Sequence, residues 1–220
     1  MSDRSVERPA AGGSQPVDTK LLFRDYPKHV TLRDGREVVL RPMTKEDLDR
    51  SCAFFKGLPD DIRLYLRADV TKRDVVERRM KHDDRHEFYR LVAVDGDRIA
   101  GDATIYREAH SWKRHLGELR VIIHPEYQAN GMGMHLIREL YEIANMANLT
   151  VLYSNIIEVQ KGAVKILEKL GFKKEVVKKS HVRDLNGRKH DLIVMTCNLG
   201  ELWDRLEMAL LDMDSAPTQE

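Results

Sequence analysis

The chain has 220 residues, of which 42% are hydrophobic and 33% are charged, and its formal net charge is +1. This length predicts one large domain or one domain with appendages, and the near-neutral charge excludes a general electrostatic affinity for nucleic acid or membranes. The two cysteines, Cys52 and Cys197, lie far apart without ligand-like neighbours, which argues against a zinc site or a disulfide framework and favours a reducing compartment.

The two ends of the chain differ in composition from its middle. Residues 1–27 begin with "MSDRSVERPAAGGSQP", which is polar and rich in Gly, Pro and Ser, so we expect a flexible tail and not a secretory signal. No apolar run approaches the roughly 20 residues that span a bilayer, and we expect a cytoplasmic protein. Residues 200–220 predict an amphipathic helix that packs on its own domain or on a second subunit, and packing on a second subunit implies a homodimer. The apolar stripe consists of Leu199, Leu202, Trp203, Leu206, Ala209, Leu210 and Met213.

The first half of the domain, which we expect at residues 28–199, predicts a hairpin and three helices. "VTLRDGREVVL" has two β-prone runs around Asp34-Gly35, a hairpin signal. Thr44 and Asp47, three residues apart, predict a capped helix start. Two further helices follow, the second of them over about residues 71–85.

The second half predicts strands that alternate with helices. A hairpin over "EFYRLVAVDGDRIAGDATIYRE" precedes the strand "HLGELRVII", a helix over about residues 131–147, the strand "TVLYSNII" and the helix "QKGAVKILEKL". A long final hairpin turns at Asn186-Gly187, a pair that predicts a type I′ turn. This order predicts an α/β fold with a mostly antiparallel central sheet, a parallel portion near its middle and flanking helices.

Two glycines, Gly131 and Gly133, stand where a strand passes into a helix in "VIIHPEYQANGMGMHL". Backbone N–H groups at a helix start carry the positive end of the helix dipole, and glycines let an anion approach them closely. Residues 128–134 therefore predict a phosphate cradle, or a tight turn whose glycines serve conformation alone. The stretch lacks the Lys-Ser or Lys-Thr of a P-loop, and Leu136 stands where a dinucleotide fingerprint has a third small residue.

The pattern Q-x-x-G-x-G at residues 128–133 resembles the acyl-coenzyme A signature of the GNAT superfamily of N-acyltransferases. "AVKILEKLGFKKE", residues 163–175, resembles the second motif of that superfamily, and the order of elements is similar from about residue 30 to 199. The resemblance implies that acetyl-CoA is the cofactor, with its pyrophosphate on the helix start and its pantetheine arm beside the preceding strand. The residues expected to bind it are Val121, Ile122, Ile123, Gln128, Asn130, Gly131, Met132, Gly133 and Met134.

The resemblance also implies acetyl transfer to an amine, and such an amine must lose a proton. A lysine amine has a pKa of about 10.4, so a general base is needed. Glu118, in "GELRVII", matches a strand glutamate of related protein acetyltransferases and is the expected base; alternatively it only pairs with a basic neighbour such as Arg120. Leu167 replaces the tyrosine that often acts as general acid. The thiolate of coenzyme A then leaves without an acid, or Tyr153 or Asn155 acts as the general acid.

The acceptor is an amine of one of two kinds. "VTLRDGREVVLRPMTKEDLDRSCAFFKGL" is similar to the start of the GNAT domains in bacterial protein-lysine acetyltransferases, which favours a protein lysine over a small amine. Two further classes of protein stay open, namely a non-catalytic module that binds acyl-CoA as a sensor and a nucleotide-binding protein. His82 and His86 are four apart, as helical metal ligands can be, but no third ligand has a matching spacing, so no metal is expected.

Overall fold

The computed structural model describes residues 19–66, 68–80 and 86–202. The strands in chain order are β1 (Lys28–Thr31), β2 (Glu37–Pro42), β3 (His86–Asp95), β4 (Arg98–Glu108), β5 (Leu116–Ile123), β6 (Val151–Ile157), β7 (Lys173–Arg183) and β8 (Lys189–Asn198). The helices are α1 (Thr19–Leu22), α2 (Leu48–Gly57), α3 (Asp60–Arg63), α4 (Arg73–Met80), α5 (Met132–Met146) and α6 (Lys161–Lys169).

The strands form a sheet in the order β1-β2-β3-β4-β5-β6-β8-β7, with the short β1 and the long, exposed β7 at its edges. Neighbouring strands are antiparallel except β5 and β6, which are parallel. This confirms the predicted fold class. The β5–β6 ladder joins residues 116–118 to residues 151–153, and beyond it the described strands are no longer paired with each other. The sheet is therefore split at its centre.

One face of the sheet packs against α5 and α6. Leu136, Leu140 and Ile143 place the apolar face of α5 in the main core and are fully buried. Gly117 permits close packing at the start of β5, since a Cβ there would lie 2.7 Å from Leu149 Cδ1 and 2.9 Å from Ile105 Cγ2. The β5–β6 junction is thus fixed by tight apolar contacts directly beside Glu118.

The opposite face packs against α2 and α4 through a second core that includes Phe55, Val76 and Val92. The predicted cap is present, but it starts a 3-10 turn (Lys45–Asp47) that leads directly into α2, where the carboxylate of Asp47 accepts a hydrogen bond from Thr44 N at 2.9 Å. The same carboxylate accepts two bonds of 2.7 Å from the guanidinium of Arg41. These contacts fix the helical layer above the strand face that carries Glu118.

The structure differs from the sequence predictions at the N-terminus and in the first helices. The composition predicts a tail that includes residues 19–27, yet Leu22 of α1 is 2% exposed and belongs to the main core. Tyr26 Oη donates a bond of 2.6 Å to Glu139 on α5, which holds this segment in place. The third predicted helix ends at Met80 within the described residues, since residues 81–85 lie outside them.

The turn between β7 and β8 is not the predicted type I′ turn. Such a turn needs positive φ at both central residues, and only Gly187 has it, at 79°. Asp184 N donates to Arg188 O at 3.0 Å, and Gly187 N donates to Asp184 O at 2.9 Å, which defines a three-residue loop ending in a left-handed glycine. The Asp184 carboxylate accepts bonds from Asn186 N and Arg188 N, both 2.9 Å, and these stabilise the longer loop.

Candidate functional site

The predicted cradle residues lie at the N-terminus of α5. Gly131 is the N-cap and adopts the left-handed conformation, with φ 90°. Met134 N makes the first bond of the helix, to Gly131 O at 3.0 Å, so the N–H groups of Gly131, Met132 and Gly133 precede the helical ladder and face outward. Three backbone N–H groups and the positive end of the helix dipole therefore converge where an anion could lie.

The side chains of the cradle bond within the protein and leave its backbone to meet a ligand. Gln128 Nε2 donates to Ile123 O at 3.1 Å, and Asn130 Nδ2 donates to Asp34 Oδ2 at 2.7 Å. Met132 is 1% exposed, and Met134 is partly buried against the main core. These four residues shape the loop, and any contact with an anion falls to their main-chain atoms.

Both glycines lie against neighbouring side chains. A Cβ on Gly133 would lie 3.1 Å from Ile123 Cδ1, and a Cβ on Gly131 would lie 3.7 Å from Arg33 Nε. Arg33, in the β1–β2 turn, also donates its backbone N–H to Asn130 O at 3.0 Å. Sequence reasoning missed Arg33, because nothing in the spacing of residues 33 and 131 links the two segments.

Beyond the end of the β5–β6 ladder, the backbone N–H and C=O groups of every second residue of β5 point towards β6. Leu119 O accepts a bond of 3.0 Å from Ser154 Oγ on β6, whereas His124 N bonds to Ala100 O on the β4 side. Because backbone groups of alternate residues point to the same strand edge, those of Val121 and Ile123 also point into the split, and those of Ile122 point to β4. An extended ligand with amide groups could pair with this edge.

Glu118 lies where β5 and β6 separate, as the cross-strand partner of Tyr153 in the last pair of the ladder. It is 3% exposed. Its Oε2 is 2.6 Å from Arg120 Nη2, and its Oε1 accepts a bond of 2.9 Å from Asn155 Nδ2. The carboxylate thus pairs with Arg120, as one interpretation of this residue expects, and it is buried at the split; its role as the base stays a prediction.

The candidate general acids occupy different surroundings. Leu167, where related enzymes have a tyrosine, is 4% exposed and part of the main core. Tyr153 and Asn155 are half-buried on β6 and lie on the same face as Glu118. The structure thus brings both β6 candidates to the carboxylate, and an apolar side chain fills the usual position of the acid.

Further polar groups on this face were not predicted. Arg90 on β3 pairs with Thr104 on β4, which pairs with Arg120 on β5, so the three side chains point to one side of the sheet. Arg90 Nε donates to Thr104 Oγ1 at 3.1 Å, and that hydroxyl donates to Asp102 Oδ1 at 3.2 Å. Asp102 and Thr104 are each 3% exposed, so a buried polar network adjoins Glu118.

Metal ligands and membrane spans are two further kinds of feature that bear on function. Among the side chains described within residues 20–66, 68–80 and 87–202, no three of His, Cys, Asp or Glu lie together as metal ligands would. His82 and the side chain of His86 lie outside this part of the chain. The helices in the same ranges are all too short or too polar to cross a membrane.

Comparison with known proteins identifies the family. The family model for the acetyltransferase (GNAT) domain matches residues 37–173, more than half of the chain. The GNAT domain of S. lividans PAT is 17% identical, with a TM-score of 0.63, and the alignment covers 78% of this chain and 96% of that one. A chimeric spermidine N-acetyltransferase from Vibrio cholerae is 22% identical, with a TM-score of 0.61 and coverages of 74% and 96%.

A third solved structure, the ribosomal-protein-S18-alanine N-acetyltransferase from Escherichia coli, is 15% identical, with a TM-score of 0.57 and coverages of 74% and 94%. At these identities the solved structures establish a shared fold only. The family match establishes more, since it spans the Q-x-x-G-x-G loop and the split strands on either side of it. The chain therefore belongs to the GNAT family of N-acetyltransferases.

Proposed function

We propose that this protein transfers an acetyl group from acetyl-CoA to a primary amine, with Glu118 as the general base. The observation that carries the assignment is the position of this buried carboxylate, held between Arg120 and Asn155 where β5 and β6 separate. Family membership supports the acetyl donor, because GNAT domains use acetyl-CoA.

The residues of the split fit acetyl-CoA. The N–H groups of Gly131, Met132 and Gly133 would hold the pyrophosphate, since they precede the ladder of α5 and the glycines add no Cβ to a crowded turn. The backbone of Val121 and Ile123 would pair with the pantetheine amides, because it faces the split. Bound there, acetyl-CoA supplies the activated acetyl group, and the protein supplies its position relative to Glu118.

Glu118 is suited to accept a proton from the incoming amine. The guanidinium of Arg120 pairs with the carboxylate, and the amide of Asn155 fixes its orientation. The proton passes to it directly or through one water molecule. Leu167 offers no hydroxyl, so the usual proton donor to the leaving group is missing. Coenzyme A can leave as a thiolate without an acid, because the pKa of a thiol is about 8–9. If a proton donor is needed, Tyr153 stays the predicted one.

Two observations bear on the class of amine that accepts the acetyl group. The start of the domain is similar to protein-lysine acetyltransferases, which favours a protein lysine. Two of the structurally similar proteins are named for spermidine and for a ribosomal-protein alanine, which present primary amines of different kinds. A primary amine is the chemistry that these acceptors share, and protein lysine is the first class to test.

The test is thiol release from acetyl-CoA, measured with panels of free amines and of lysine-containing proteins. Glu118→Gln should lower kcat by about 10²–10⁴-fold, the usual contribution of a general base, while the Kd for coenzyme A stays unchanged. Glu37→Gln, at an exposed glutamate on β2, is the matched control and should behave as wild type.

Two results would contradict the proposal. Near wild-type turnover by a folded Glu118→Gln variant would remove this residue from the mechanism. Tight binding of acetyl-CoA without thiol release for any amine would instead indicate a non-catalytic sensor of acyl-CoA.

A further inference from the structure

Three arginines gather on the sheet face that carries Glu118. Arg90 and Arg120 lie on this face through the register of β3, β4 and β5. Arg79, at the end of α4, joins them from the helical layer, since its backbone O accepts a bond of 2.8 Å from Arg90 Nη1. We call Arg79, Arg90 and Arg120 the arginine cluster.

Two of the three guanidiniums have no ion-pair partner among the described residues. Arg120 pairs with Glu118 at 2.6 Å. Arg90 bonds to the Thr104 hydroxyl and the Arg79 carbonyl, and among the described residues neither Arg79 nor Arg90 forms an ion pair with a carboxylate. Burial lowers the pKa of Arg79, the charge of Asp102 opposes that shift, and the charges of Arg90 and Arg120 add to it. The positive charges of Arg90 and Arg120 thus oppose that of Arg79, and arginine stays charged throughout.

Arg120 stands between the buried acid and the open side of the site. Its side chain is 36% exposed, whereas that of Glu118 is 4% exposed. Its Nε is buried and has no hydrogen-bond partner among the described residues, although such donors are nearly always satisfied in native proteins. A ring contact with Tyr106, 5.7 Å from the guanidinium carbon to the ring centroid, flanks it on the same face.

We propose that the acceptor carries a carboxylate close to its reacting amine and that the arginine cluster binds this carboxylate, with Arg120 making the contact. The inference rests on the proposed acetyltransferase function and narrows its substrate class. A guanidinium fork matches a carboxylate in shape and charge, and the cluster contains guanidiniums that lack a carboxylate partner among the described residues. A polycationic amine would instead meet like charge beside the base.

The carboxylate could belong to a free amino acid or to an acidic residue beside a lysine in a protein. Two sets of matched acceptors separate these sources. Glycine, β-alanine and 6-aminohexanoate are compared with their amides, and lysine peptides with a neighbouring Glu are compared with the same peptides containing Gln. The readout is the ratio of kcat/KM for acid over amide, measured by thiol release.

Wild-type enzyme should favour the acid over the amide by roughly 10-fold or more in at least one set, as expected for a hydrogen bond to a charged group. Arg120→Gln should abolish this ratio, and Arg120→Lys should retain part of it. Arg78→Gln is the matched control, because Arg78 lies on the same helix as Arg79 but is 69% exposed and pairs with Asp74. That variant should keep the full ratio.

The acid-over-amide ratio distinguishes binding of the acceptor's carboxylate by Arg120 from an effect of Arg120 on Glu118. If Arg120 only held Glu118 in place, its loss would slow acids and amides equally. Thiol release with equal kcat/KM for acids and amides, or a preference that a folded Arg120→Gln variant retains, would overturn the inference and leave acetyl transfer intact. Absence of thiol release with every amine would overturn the proposed function itself.

Discussion

Gly131 and Gly133 are required for different reasons, although they stand two residues apart. Gly131 has φ 90°, a conformation that costs other residues roughly 1–2 kcal/mol. Gly133 is helical, and its constraint is space, since a Cβ would lie 3.1 Å from Ile123 Cδ1. A substitution at Gly133 therefore tests the ligand site with less backbone strain than one at Gly131.

Two substitutions at Gly133 should separate crowding from charge. Gly133→Ala adds the Cβ alone and should weaken coenzyme A binding modestly, because Ile123 must shift by a few tenths of an ångström. Gly133→Glu adds a negative charge to a proposed pyrophosphate site and should weaken binding by about 100-fold or more, since facing like charges cost several kcal/mol. Calorimetry with coenzyme A measures both, and equal affinities of the two folded variants would place the pyrophosphate elsewhere.

At the scale of elements, the β7–β8 hairpin is joined to the rest of the fold by His190. Its Nε2 is 3.0 Å from Asp184 Oδ2 and its Nδ1 is 3.2 Å from Glu158 Oε1, so a proton on each nitrogen faces a carboxylate. Its ring also packs edge-on against Tyr65, with centroids 5.6 Å apart. One imidazolium thus connects the hairpin turn, the end of β6 and the segment after α3.

This contact should make stability depend on pH. The bond to Asp184 raises the pKa of His190 above 6.5, burial opposes that shift, and the bond to Glu158 adds to it. A raised folded-state pKa stabilises the protein below pH 6.5, and this contribution disappears as pH rises through the folded value. The Tm difference between wild type and His190→Gln should therefore be larger at pH 6 than at pH 9. An equal difference at both pH values would show that the imidazolium charge contributes nothing.

Elements with a local signal could be predicted from the sequence, and contacts between distant strands could not. The cap at Thr44, the glycine at the start of α5 and the existence of both hairpins are encoded within a few residues. The burial of Glu118 and the contact of Arg79 with Arg90 depend on how segments far apart in the chain pack together. Composition near residue 118 does not reveal that packing, so the sequence also allowed a glutamate that only pairs with Arg120.

At the scale of the whole molecule, the predicted C-terminal helix begins on its own domain. Leu199 is 3% exposed, its N–H bonds to Thr150 O at 2.9 Å, and Leu202 packs against the main core. From Trp203 onward the predicted helix lies outside the described residues. These first contacts favour packing within the subunit over docking between subunits.

Removal of residues 203–220 should therefore lower the Tm and leave the oligomeric state unchanged. A chain that ends at Leu202 keeps the buried Leu199 and the partly buried Leu202, so the loss of the predicted helix is measured without damage to the core. Light scattering at matched concentrations reports the mass, and thermal unfolding reports the stability. A dimeric wild type that becomes a folded monomer on truncation would instead support docking between subunits.

Both edges of the sheet have features that hinder pairing with a strand of another molecule. β1 has only four residues, and β7 carries Lys173, Lys174, Lys178 and Lys179 along an edge whose pairing with β8 is interrupted by two irregularities. Short edge strands, lysines and bulges all discourage the edge-to-edge joining that leads to aggregation. A second copy of this chain would consequently meet the first through helices or side-chain surfaces, and the two sheets would stay separate.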